Sequence, residues 1–237
     1  MAVYVYAITP ADHPLRLDGV TGVGEPAEQL RVVTEGDLAA VVSDAPEGLR
    51  AKRRDVLAHQ TVLQELLGQA GVLPLRFGAL APDDDAVTDA LRERAANYRD
   101  RLRALDGCAE FHLKASCPED LLLAAVLRES DDARRMNEEI RSGHGGQDLK
   151  ISLGELVAAE VTARRTALGA SVVEALRPLA REVRESEAVG DDFVSASFLV
   201  ERTRQNAFLE REAELVGEYG EDFDFRLHGP LPPYSFV

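Results

Sequence analysis

The sequence predicts an α+β fold in two domains: a sheet-and-helix sandwich over residues 1–106, an α/β domain with long helices and a small sheet over 107–229, and a Pro-rich aromatic tail over 230–237. Three observations predict it. β-Branched and aromatic runs, VYVYAIT (3–9), EFHLKAS (110–116) and VSASFLVE (194–201), are spaced along the chain rather than gathered in one block. Stretches of helical period separate them. The 237 residues, 45% of them hydrophobic, are enough to bury a sizeable core in each half.

The first run is a strand. Residues 10–29 follow it with three prolines, three glycines and no helical period, which predicts a long irregular connection. RVVTEGDLAAVVSD then reads as a hairpin turning at Glu35, Gly36 and Asp37, where Gly36 is free to take a positive φ. Val56, His59, Leu63, Leu66 and Ala70 share one stripe of a helix that closes at Gly71. VLPLRFGAL (72–80) is a strand whose Pro74 places it at an edge or a bulge. A helix from about Ala86 to Leu105 completes the half, with its apolar line at Val87, Leu91, Tyr98 and Leu102. The order β-ββ-α-β-α resembles a ferredoxin-like βαββαβ sandwich whose first helix is replaced by the 10–29 loop.

The boundary is expected near Asp106 and Gly107. EFHLKAS alternates Phe111, Leu113 and Ala115 with Glu110, His112 and Lys114, so it is a half-buried strand. Ser116 with Glu119, and Ser152 with Glu155, have capping-box spacing, for a helix from about Pro118 and for an Ala-rich helix reaching about Glu187. The strand at 194–201, a charged helix at 203–219 and FDFRLHG (223–229) end the pattern. The two alternating strands predict a sheet with one polar face bearing Glu110, His112, Lys114, Asp224, Arg226 and His228.

Composition narrows the function. Forty-two acidic against twenty-seven basic side chains leave a formal charge of −15, which repels nucleic acid and anionic membranes. MAVYVYAITP has no basic leader region and no apolar run is long enough to span a bilayer, which predicts a cytoplasmic protein. Cys108 and Cys117 bracket a strand of about eight residues, too far apart for a disulfide. The five histidines have no paired helical spacing and stand beside no Cys pair, so neither metal nor cofactor is expected. SGHGGQ (142–147) follows no strand and lacks a terminal Lys-Ser/Thr, and reads as an interhelical loop. No nucleophile stands with a base, and no catalytic residues are expected.

Two side chains carry alternatives. His59, on the apolar stripe of its helix, is favoured as a hydrogen-bonded structural histidine. Arg76 points away from the face of Leu73, Leu75 and Phe77; it is either solvated or an anchor for a carboxylate, which a guanidinium grips with two parallel bonds.

Taken together and in this order, VLPLRFGAL, KASCP and GPLPPYSFV resemble the gas vesicle protein F and L family, over a span from VYVYAI to the last residue. Members often carry an aromatic between the Gly-Pro and the double proline, where this chain has Leu231, and the chain has no tryptophan. The blocks are shared by F and L and do not separate them. The resemblance implies a cytoplasmic accessory protein of gas vesicle assembly without catalysis. Its implied partners are the hydrophobic shell protein and other accessory proteins, and retention in the vesicle as a minor component is compatible with that role. The contact is expected at the edge strand, through Leu75, Arg76 and Phe77, and at Tyr234 and Phe236 of the tail. The tail is expected to dock on the domain junction, the other reading being a free recognition segment. A competing reading from another class is a small-molecule-binding or enzymatic ferredoxin-like protein with a carboxylate pocket near Arg76 and His59.

Overall fold

A computed structural model describes residues 1–237. The chain forms two compact units: Met1–Phe111 with Leu199–Thr203 and Gly229–Val237, and His112–Phe198 with Arg204–His228.

The first unit is built on β1 (Val3–Pro10), β2 (Arg31–Glu35), β3 (Leu38–Asp44), β4 (Leu73–Pro74) and β5 (Leu80–Ala81). The order is β2-β3-β1-β4, with β5 also on β1, and every pair is antiparallel. This is the strand order of a ferredoxin-like sheet, and the 11–30 connection holds no helix where that fold has its first one. Gly36, at φ +59°, turns the β2–β3 hairpin. Helix α1 (Arg53–Gln69) covers one face; α2 (Asp84–Glu93) and α3 (Ala95–Leu105) belong to the other. With helices on both faces, β1 and β3 are buried along almost their whole length, which is why their sequences are continuously apolar.

The register of β1 on β3 shifts between Val5 and Ala7, an irregularity that interrupts strict alternation. As a result Val3, Val5 and Ile8 enter one core, with Leu38, Ala40 and Val42 of β3 and Val87, Leu91, Leu102 and Leu105 of the helices. Tyr4 and Tyr6 turn to α1 instead, where both meet His59.

Two first-half elements differ from expectation. The 72–80 strand is interrupted: β4 and β5 each contribute two residues to β1, and 75–79 leaves the sheet as a turn closed by Ala79 N–H on the Arg76 carbonyl at 3.2 Å. Pro74 has no N–H to continue a ladder and Gly78, at φ +88°, allows the chain to turn back. The 86–105 helix breaks at Arg94, whose φ and ψ of −107° and 15° leave the helical range. Val87 and Leu91 before the break, and Leu102 and Leu105 after it, all reach the core.

The second unit contains α4 (Glu119–Glu129), α5 (Asp131–Arg141), α6 (Gln147–Leu176) and α7 (Gln205–Tyr219). Its sheet has the order β7-β8-β6-β9, from β6 (Cys108–Ser116), β7 (Glu182–Glu185), β8 (Asp192–Glu201) and β9 (Asp224–Leu231). Helix α6 crosses β8 so closely that a Cβ at Gly169 would lie 2.5 Å from the Phe193 carbonyl oxygen. Phe193, Tyr219, Phe223 and Phe225 pack ring on ring beside this crossing. No helix is long and apolar enough to cross a membrane.

Neither expected capping box forms. Ser116 stays in β6 and α4 starts without a side-chain cap; Ser152 and Glu155 lie inside α6, which begins five residues earlier, at Gln147 after Gly146. The cap that does form is Ser130, whose hydroxyl oxygen accepts the Ala133 N–H at 3.3 Å and separates α4 from α5. Helix α6 stops at Leu176 rather than near Glu187: the chain tightens into a 3₁₀ turn, Arg177–Leu179, in which Pro178 has no N–H to continue the helical bonds. The freed residues 182–185 become an edge strand that periodicity did not reveal.

Candidate functional site: the 75–79 turn and the segment packed beside it

The turn that interrupts the edge strand is held by a chain of hydrogen bonds from β1 and α1. Leu75 N–H donates to the Tyr6 carbonyl at 2.9 Å, and the Ala79 carbonyl accepts from Val5 N–H at 2.9 Å. Between these points His59 Nε2 lies 3.2 Å from the Leu75 carbonyl, and Nδ1 lies 2.9 Å from the Tyr4 hydroxyl. A carbonyl only accepts, so Nε2 carries the proton, Nδ1 is an acceptor and Tyr4 O–H donates to it. The Tyr4 oxygen in turn accepts Gly78 N–H at 3.2 Å. One relay, Gly78 to Tyr4 to His59 to Leu75, thus ties down both sides of the turn.

Around the imidazole stand four aromatic rings. Tyr6 and Tyr234 stack on it, with ring centroids 5.7 and 6.5 Å away, and Tyr4 and Phe77 meet it edge-on at 5.7 and 5.8 Å. Burial lowers the His59 pKa to about 4, so the ring is neutral at pH 7. Burial also pushes the Tyr4 and Tyr6 phenols up, and with the nearby Glu110 carboxylate takes Tyr234 to about 12. These groups hold fixed protonation states near neutrality, and what they supply is rigidity. With both nitrogens bonded and the residue only 2% exposed, His59 presents nothing to a carboxylate ligand.

Tyr6 secures the other side of the cluster. Its hydroxyl oxygen accepts Val23 N–H at 2.8 Å and lies 3.0 Å from Ser43 Oγ. The Ser43 hydroxyl donates to the Asp44 carbonyl at 3.0 Å, so it is Tyr6 that donates to Ser43. A Cβ at Gly22 would overlap the Tyr6 hydroxyl. A phenol therefore pins the connection that stands where the first helix of the sandwich is missing.

The 229–237 segment completes the cluster. β9 runs through Gly229 to Leu231, two residues beyond the expected strand end. A Cβ at Gly229 would come within 2.5 Å of Phe111 Cδ1 and 3.0 Å of the Glu110 carbonyl, so only glycine permits this approach. Pro232 and Pro233 are buried and lead into a 3₁₀ turn, Tyr234–Phe236, instead of an extended polyproline arm. Glu110 Oε2 accepts Ser235 N–H at 2.9 Å and Oε1 accepts the Ser235 hydroxyl at 2.6 Å. Phe236 is 1% exposed, in the core with Val3, Val5, Leu73, Cys108 and Leu199.

Of the residues selected from the sequence, Leu75, Arg76 and Phe77 share the turn, and Tyr234 joins them across His59. Leu75 is half-buried against the core and Phe77 half-buried against Tyr4 and His59. Arg76 is exposed, and its guanidinium makes no hydrogen bond or ion pair. Phe236 is placed as a core residue. Glu110 is corrected: expected on a polar face, it is 4% exposed and binds Ser235. His112 lies 2.9 Å from Ser197 Oγ, and Lys114 and Arg226 converge on Asp192. Tyr4 and Tyr6 escaped selection because their alternation in VYVYAIT reads as ordinary strand. Cys108 and Cys117 are both buried and free, and burial raises the Cys117 thiol pKa.

Comparisons with known proteins cover the whole chain. The family described as gas vesicle synthesis protein GvpL/GvpF matches residues 2–237. Gas vesicle protein F of Streptomyces sp. (strain CB03234) is 43% identical over the full length of both chains. Gas vesicle protein L of the same strain is 30% identical, over 99% of this chain and 92% of its own. The crystal structure of the gas vesicle protein GvpF from Anabaena sp. PCC7120 superposes with a TM-score of 0.87 at 24% identity, covering 99% of this chain and 97% of that one, and shows the same fold. This chain belongs to the gas vesicle synthesis protein GvpL/GvpF family.

Proposed function

We propose that this protein is a gas vesicle assembly factor that captures the hydrophobic shell protein through the 75–79 turn and delivers it to the growing vesicle. A shell subunit that must present apolar surface to gas is an aggregation hazard in water until it is assembled. An acidic carrier with a net charge of −15 keeps such a complex soluble. The observation that carries the reading is Arg76, an unpaired cation at the tip of a turn whose flanking carbonyl and N–H groups are locked by His59 and Tyr4. A preorganised arginine beside a half-exposed aromatic is the type of group that dominates protein interfaces. The two-residue strands β4 and β5 offer little edge for an incoming strand, so the turn, not strand addition, makes the contact. Leu75 and Phe77 form its apolar border. Tyr234 and Phe236 act by holding the turn in place. Catalysis has no part in this reading, and the protein works in the cytoplasm at the forming vesicle, alongside other accessory proteins.

The test is a titration of the shell protein, and separately of each other vesicle-cluster product, against wild type and Arg76→Ala. The variant is expected to melt within about 2 °C of wild type, because exposed substitutions change stability by at most about 0.5 kcal/mol. Shell capture is expected to weaken at least tenfold. Equal binding by the two proteins removes Arg76 from the contact. Wild type that binds an accessory product but no shell protein overturns the capture role.

A further inference from the structure

Helix α7 (Gln205–Tyr219) in the second unit carries a wider apolar arc than its core contacts use. Phe208, Leu215 and Tyr219 form its inward stripe, with Phe208 packed on Phe198 and Tyr219 on Phe193. At 3.6 residues per turn the arc continues past that stripe through Val216, Leu209 and Ala213 to Gly217. This flank faces solvent: Leu209 is 42% exposed and Val216 38%, while Ala213 and Gly217 are also exposed.

Carboxylates border the flank on both sides. Glu212 stands between the inward stripe and Val216, half-buried, with no cation beside it, and burial raises its pKa. Beyond Gly217, on the far side, stand Glu210, Glu214 and Glu218. The one basic side chain within the helix, Arg211, is held by Glu214 at 3.1 Å and Glu218 at 2.8 Å. A second copy of the same helix would set carboxylate against carboxylate, which excludes self-pairing on charge. The complementary surface is apolar along its centre and basic along both edges.

We infer that the Leu209–Val216 flank of α7 is a docking strip for an amphipathic helix of a partner protein whose apolar stripe is bordered by lysine or arginine. Ala213 and Gly217 let the two backbones approach, Leu209 and Val216 supply the apolar contact, and Glu212 gains the cation it lacks. The strip from Leu209 to Gly217 runs about 12 Å along the helix, a little over two turns. It is separate from the 75–79 turn and does not depend on the shell-protein reading.

The test uses the full-length protein and three fluorescent 14-residue peptides: an amphipathic Leu/Lys helix, a scrambled peptide of the same composition, and an amphipathic Leu/Glu helix. The Leu/Lys helix is expected to bind at least tenfold more tightly than the scrambled peptide, and the Leu/Glu helix not to bind. Leu209→Ser with Val216→Ser, which leaves every charge in place, is expected to weaken binding at least tenfold, and Glu212→Gln two- to fivefold. If the serine pair lowers the melting temperature, Ala213→Gln on the same exposed flank replaces it, with the same loss expected. Equal binding of the scrambled peptide, or wild-type affinity in the serine or glutamine variant, reduces the effect to bulk charge and overturns the inference. A concentration-dependent dimer in sedimentation that the flank variants dissolve overturns it too, by giving the strip to a second copy.

Discussion

Acidifying the protein from pH 7 to pH 4.5 forces a proton toward His59, and the structure has no room for it. Nε2 already donates to the Leu75 carbonyl, so the second proton arrives on Nδ1, which is the acceptor for Tyr4 O–H. Tyr4 must then rotate its hydroxyl and lose its acceptor inside a cluster where His59 is 2% exposed. The folded pKa, about 4 against an ordinary 6.5, lies below the unfolded one, so between these values the unfolded chain binds more protons. Stability from this group is complete above pH 6.5 and falls as the pH drops toward 4. Integrated from pH 7 to 4.5, the loss is about 2.5 kcal/mol, or about 7–12 °C in melting temperature for a unit of this size. His13, also lowered by burial, adds to the loss with the same sign, so the measurement is a difference between wild type and His59→Gln, a side chain that can donate to Leu75 and accept from Tyr4. Carboxylates held low by arginine or backbone partners, Asp37, Asp55 and Glu129, titrate at lower pH, while Glu212, raised by burial, acts alike in wild type and variant and cancels in the difference. Urea unfolding at half-unit pH steps, followed by tyrosine circular dichroism in this tryptophan-free chain, reads the slope. Wild type should lose about 2 kcal/mol more than the variant over the window. Parallel slopes, or a His59 imidazole titrating near 6.5 by NMR, refute the reasoning.

Three further outcomes rest on the same cluster and its supports. Phe236→Ala empties a site 1% exposed and should cost about 3–5 kcal/mol, seen as a lower melting temperature and faster amide exchange in β1 and β6, with shell capture reduced through loss of Tyr234 packing. If that variant melts normally yet fails to capture shell protein, the 234–236 turn is itself the recognition element. Gly229→Ala should lower stability by about 2 kcal/mol or more, because the added methyl meets both a ring and a carbonyl of β6; calorimetry showing less than about 0.5 kcal/mol would mean that β9 shifts freely. Ser235→Ala removes the 2.6 Å bond to a buried carboxylate but leaves the backbone bond, and a loss of about 1–2 kcal/mol in urea unfolding is expected, with no loss counting against a stabilising role for the Glu110–Ser235 contact.

Much of the first unit was legible in its residues because local patterns and global fold agree there. The strand at 3–9, the Gly36 hairpin, the stripe of α1 and the helix-free 10–29 connection all follow from side-chain period and turn chemistry, which act over a few residues. The blocks VLPLRFGAL, KASCP and GPLPPYSFV, taken together and in order, were enough to indicate the family. His59 was readable as a bonded core histidine, since an imidazole on an apolar stripe has to find partners. What local pattern could not contain was decided by tertiary packing. The register shift in β1 that brings Ile8 onto the face of Val3 and Val5, the Arg94 break and the escape of residues 75–79 from the sheet depend on which face meets which helix. Glu110 looked solvated by alternation, yet Ser235, over a hundred positions away, supplies the two donors that make its burial possible. Both expected capping boxes failed because a cap motif specifies a preferred start only where the preceding residues cannot themselves be helical or extended, and here the neighbours of Ser116 and Ser152 can be. Amino-acid order set the elements and the kinship of this chain; the pairing of distant segments set which side chains are free to meet a partner, because exposure and ion pairing are properties of packed surfaces and not of sequence neighbours.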